Sequence, residues 1–94
     1  MTKLDAIQQK IDAATKALAD ANARLTPLAN AEGDALGAYL KAQEDEGRYT
    51  AARMDAEIKY RQAQAAHSAG KTAVDAATKE IARWQAAWEK TLEE

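Results

Sequence analysis

Residues 4–25 read LDAIQQKIDAATKALADANARL, and the spacing of their apolar side chains decides the fold. Leu4, Ile7, Ile11, Ala14, Leu18, Ala21 and Leu25, followed by Leu28, recur at alternating steps of three and four. That is the repeat of a helix burying one narrow stripe against another helix. Asp5, Gln9, Asp12, Lys16 and Asp20 occupy the other side. The residues between are mostly strong helix formers, so a helix is expected over about 2–26.

Beyond this stretch, Thr26-Pro27 is the first punctuation. Threonine is a good N-cap and proline is tolerated in a first helical turn, although Leu28 remains in the heptad phase. Asn30, Gly33, Asp34 and Gly37 follow closely, which predicts the chain reversal at 26–37, with Asp34 as a candidate cap. A second helix is expected over about 38–68. Glu44-Asp45-Glu46-Gly47 is a rival break point; acids favour a helix N-terminus, so a helix would begin there rather than end. His67-Ser68-Ala69-Gly70-Lys71-Thr72 predicts a kink or break at 68–72, with Thr72 and Asp75 spaced as a capping box. A last helix is expected over 72–92, either separate from the second or continuous with it, with its stripe at Val74, Ala77, Ile81, Trp84, Trp88 and Leu92. The expected fold is all-α: an antiparallel helical hairpin or three-helix bundle with coiled-coil-like heptad packing, in a single domain over 1–94.

The stretch 49–67 carries two apolar sides. At about 100° per residue, Tyr49, Ala56, Tyr60, Ala63 and His67 share one stripe with Arg53 at its edge, whereas Met54, Ile58 and Ala65 lie roughly opposite. A helix in a simple hairpin needs only one apolar side. The aliphatic side suits a dry core. The Tyr/Arg/His side suits an interface, since Tyr and Arg are enriched at binding hot spots. Trp84 and Trp88 form an i, i+4 pair that serves either as a core plug or as a partner anchor, with Arg83 able to stack on indole. Tyr49, Arg53, Tyr60, Arg61, His67, Trp84 and Trp88 are therefore the candidate binding residues.

Composition narrows the function. Of 44 hydrophobic residues 25 are alanine, with seven Leu, four Ile, one Val and no Phe, so the core inventory is thin for a small domain. With no cysteine and one histidine, neither a disulfide nor a conventional zinc site can supplement it. Self-association is the expected supplement. Thirteen basic against 15 acidic residues give no polycationic footprint, which disfavours nucleic acid. No apolar run approaches a membrane span, the N-terminus carries no signal-peptide pattern, and a cytoplasmic location is expected.

No nucleophile stands beside an oriented base: Ser68 and His67 are sequence neighbours and point about 100° apart on a helix. Ala69-Gly70-Lys71-Thr72 lacks the first glycine and the preceding strand of a phosphate loop, and Glu44-Asp45-Glu46 lacks a calcium-loop pattern. No catalytic residue, metal or cofactor is expected. The expected function is a non-enzymatic, self-associating protein-interaction module, of the kind common among phage and mobile-element inhibitors and assembly factors. The alternative is a small anionic ligand, such as a nucleotide, held between subunits by Tyr49, Arg53, Tyr60 and Arg61.

Overall fold

The computed structural model describes residues 2–45 and 50–94. They form two α-helices of 43 residues each, α1 over Lys3–Asp45 and α2 over Ala51–Glu93, which pack against each other. No helix among the described residues is long and apolar enough to cross a membrane.

Each helix starts on a threonine. Thr2 Oγ1 accepts from the Asp5 N–H at 3.1 Å while the Asp5 carboxylate accepts from the Thr2 N–H at 3.2 Å, a reciprocal capping box. At the start of α2, Thr50 Oγ1 accepts from the Arg53 N–H at 3.2 Å and the Thr50 carbonyl accepts from Met54 N–H at 3.0 Å. Asp34 and Thr72, the caps expected from sequence, both lie inside helices.

The reversal expected at 26–37 is helical instead, with Pro27 in the interior of α1. An interior proline forfeits one backbone hydrogen bond and costs about 3 kcal/mol relative to alanine. What offsets this is the continuity of the packed stripe on both sides of it: Leu25, Leu28, Glu32, Ala35, Tyr39 and Ala42 are all buried or half-buried. Gly33 and Gly37 have open space where a Cβ would stand, so neither makes a turn or a close helix approach.

α1 ends at Asp45, within the rival break point, whose Glu46 and Gly47 lie outside the described residues. A helix ends on Glu44 and Asp45 there, with no base in its last turn, against the expectation that acids would begin one. An exposed charge at a helix end is worth only about 0.3–1 kcal/mol, too little to set the boundary against interhelical packing.

The break expected at 68–72 is also helical. Gly70 is there for a close approach: a Cβ on it would stand 2.6 Å from Leu28 Cδ1 and 3.2 Å from Leu25 Cδ2. Along α2, the less exposed positions Arg53, Ala56, Tyr60, Ala63, His67, Gly70, Val74, Ala77, Ile81, Trp84, Trp88 and Thr91 recur at steps of three and four. Thr91 takes the place expected for Leu92, which is 60% exposed.

The two-sided reading of 49–67 is inverted. Tyr60, Ala63 and His67 are half-buried on the side facing α1, whereas Met54 and Ile58, assigned to a dry core, are each 54% exposed. The physical reason is register: the stripe through Val74 and Ile81 runs back in phase to Tyr60, so the aromatic side had to meet α1.

The chain divides into two compact units, Met1–Ala23 with Lys71–Glu94, and Arg24–Gly70. In the second, the pairs Leu28–Gly70, Glu32–His67 and Tyr39–Tyr60 set the helices antiparallel. In the first, Lys3 meets Glu94 at 3.5 Å, and Ala14 and Ala21 are the buried hydrophobic residues.

Candidate functional site

In the Arg24–Gly70 unit, the stripe between the helices turns polar. His67 Nδ1–H donates to Glu32 Oε2 at 2.5 Å, with the two side chains 17% and 25% exposed. The carboxylate can only accept, so this contact places the proton on Nδ1. Two turns along, Tyr39 and Tyr60 lie with ring centroids 6.0 Å apart at 40°, within the range of favourable tilted aromatic pairs. Both pairs use α2 residues that the sequence singled out and α1 residues that it did not. Glu32 and Tyr39 were detectable in principle, because they continue the step from Leu25 and Leu28 in phase.

The remaining candidates scatter. Arg53 is half-buried in the first turn of α2. Arg61 is exposed, its Nε and Nη2 both donating to Glu57 Oε1 at 3.1 and 2.9 Å. Tyr49 lies outside the described residues. With Tyr60 turned toward α1 and Arg61 toward solvent, the described members of the anionic-ligand set do not converge on one point.

In the other unit, Trp84 Nε1–H donates to Glu80 Oε1 at 2.6 Å, and the Arg83 guanidinium carbon stands 5.0 Å from the Trp84 ring centroid. Arg83 also approaches Glu80 at 3.6 Å. The indole is thus held by its own helix on both its polar edge and its face. Trp88 lines an open cleft of about 430 Å³ with Gln8, Ile11, Gln85 and Glu89. Its polar groups are carboxamides and a carboxylate, with no basic side chain to hold an anion.

Exposed apolar side chains are the feature the sequence placed least well. Leu36, Leu40, Met54 and Ile58, all in the Arg24–Gly70 unit, are 36%, 50%, 54% and 54% exposed. Leu36 and Leu40 stand one turn apart on α1, and Met54 and Ile58 one turn apart on α2.

No protein family, curated protein or solved structure matches this chain.

Proposed function

We propose that this chain is a non-enzymatic, self-associating helical interaction module that acts in the cytoplasm by occupying a surface of another protein. Coiled-coil packing of α1 on α2 is part of this reading, supported by the alternation of three- and four-residue steps in the less exposed positions of both helices. Phage and mobile-element accessory proteins, inhibitors and assembly factors are the class it fits.

One observation carries the proposal. Five large apolar side chains, Leu36, Leu40, Met54, Ile58 and Leu92, are exposed, while the buried hydrophobic residues among those described are Ala14 and Ala21. Burying a Leu, Ile or Met is worth about 1.5–3 kcal/mol, far more than burying an alanine. These side chains, 36% to 60% exposed, leave apolar free energy still to be gained, and association is how a two-helix chain gains it. The residue inventory supports a non-catalytic role: the chain has one histidine and no cysteine, and that histidine is engaged with Glu32.

Sedimentation equilibrium on the purified chain tests self-association: a mass above 10.2 kDa at micromolar concentration is expected, and a monomer throughout would refute it. Tagged chain recovered from its native host should bring down a defined protein at fixed stoichiometry. Recovery of the chain alone would refute the partner-binding role.

A further inference from the structure

We infer that the cleft beside Trp88 binds the guanidinium group of an arginine side chain, presented by the protein partner proposed above. The inference rests on that partner-binding role and names a chemical group it recognises. The cleft lies within the unit made of Met1–Ala23 and Lys71–Glu94. It has a volume of about 430 Å³ and is lined by Gln8 and Ile11 of α1 and by Gln85, Trp88 and Glu89 of α2. Clefts that hold ligands span about 300–1,000 Å³, so its size admits a long side chain.

The lining favours a cation, and a flat one. Trp88 supplies an indole, the aromatic system with the strongest attraction for a cation. Glu89 supplies a carboxylate that has no ion pair or hydrogen bond among the described residues. Gln8 already donates an Nε2–H to Asp12 Oδ1 at 2.8 Å, an orientation that leaves its carbonyl oxygen to accept. No Lys or Arg lines the cleft. Guanidinium is preferred to ammonium because it is planar and weakly hydrated, and stacks on an aromatic ring while donating along its edges. The chain already builds this arrangement once from its own groups. One turn earlier on α2, the Arg83 guanidinium carbon stands 5.0 Å from the Trp84 ring centroid, and its Nη1 lies 3.6 Å from Glu80 Oε2. Arg83 directly precedes Trp84, whereas the residue directly preceding Trp88 is Ala87. At Trp88 the guanidinium therefore comes from another molecule.

Nuclear magnetic resonance of the two indole N–H groups tests this, with Trp84 as internal reference because its Nε1–H is already held by Glu80 at 2.6 Å. Titration with N-acetyl-arginine amide should shift the Trp88 resonance saturably and leave that of Trp84 nearly still. The neutral isostere N-acetyl-citrulline amide should give no saturable shift, and N-acetyl-lysine amide should bind more weakly than the arginine probe. Glu89→Gln should weaken arginine binding by roughly fivefold, the scale of an exposed charge pair. Asp20→Asn, the same charge change at an exposed position of α1, should leave it unchanged. Recovery of a protein from the native host should likewise fall for Glu89→Gln and not for Asp20→Asn. Equal binding of the citrulline or lysine probe, or equal loss with both variants, would overturn the guanidinium assignment. No arginine binding, alongside undiminished recovery of a partner, would sink the site and leave the partner-binding role standing. Saturable arginine binding with no protein recovered would instead overturn the partner as its source.

Discussion

Glu32 of α1 and His67 of α2 meet across the helix pair, the imidazole Nδ1–H donating to the carboxylate at 2.5 Å among otherwise apolar or small neighbours on both stripes. A polar pair in such a stripe is an expensive way to hold two helices together. Its best-attested use elsewhere is to fix register, because only one alignment satisfies both groups.

Replacing both partners by leucine should therefore stabilise the chain. Exchanging a buried polar or ionic pair for apolar residues gains about 1–4 kcal/mol, and the partial exposure of this one argues for about 1 kcal/mol. His67→Leu alone should instead cost about 1–3 kcal/mol, since it leaves the Glu32 carboxylate half-buried without its partner. Urea denaturation of the four members of the cycle reads both signs. A double variant less stable than wild type would show that the pair stabilises the fold outright.

Gly70 and Gly37 are both helical, yet their alanine variants should behave differently. Gly37 has nothing within 4 Å of a prospective Cβ, so Gly37→Ala should gain about 0.5–1 kcal/mol from helix propensity alone. Gly70→Ala obtains the same propensity but must displace Leu28 Cδ1 from 2.6 Å. Overpacking costs about 1–3 kcal/mol, so a net loss is expected. Thermal melts would check this, and Leu28→Ala should cost less in the Gly70→Ala background than in wild type.

Pro27 should be replaceable with profit to stability. Pro27→Ala restores a backbone N–H to the interior of α1, and the gain should approach, without exceeding, about 3 kcal/mol. Chemical denaturation at constant m-value is the measurement. An unchanged or lowered midpoint would indicate that α1 has adapted its packing to the proline.

Tyr60→Ala should destabilise the chain more than Ile58→Ala. Tyr60 is half-buried beside Tyr39, and its truncation should cost about 1–3 kcal/mol. Ile58 is 54% exposed, so its truncation should stay below about 1 kcal/mol. The reverse order in circular-dichroism melts would place Ile58, not Tyr60, in the helix interface.

The sequence alone made the all-helical class and the packed face of the first 25 residues legible, because Leu4 through Leu25 repeat without interruption and periodicity is a local property. The Val74–Trp88 stripe was readable for the same reason. The position of the turn was not. Pro27, Gly33 and Gly37 are strong local signals for a reversal, and Glu44-Asp45-Glu46-Gly47 is a weaker rival break point whose acids favour the start of a helix, not its end. A helix that continues to bury Glu32, Ala35, Tyr39 and Ala42 against a partner helix overrides the former. The first helix ends at Asp45, inside the rival break point but with the opposite polarity to the one its acids favour.

Which side of residues 53–67 faces inward likewise depended on more than that segment. Met54 with Ile58 and Tyr60 with His67 are both plausible inner faces when residues 53–67 are considered alone. Continuity of α2 through 68–72, which puts Tyr60 and His67 in phase with Val74 and Ile81, decides between them, and the His67–Glu32 and Tyr60–Tyr39 contacts are its result. Local composition and periodicity thus determined that this chain is helical and which side chains form the stripes from Leu4 to Leu25 and from Val74 to Trp88. Tertiary packing determined where it turns and which apolar side chains stay in water, because those depend on contacts between residues some 20 to 40 positions apart that no local pattern encodes.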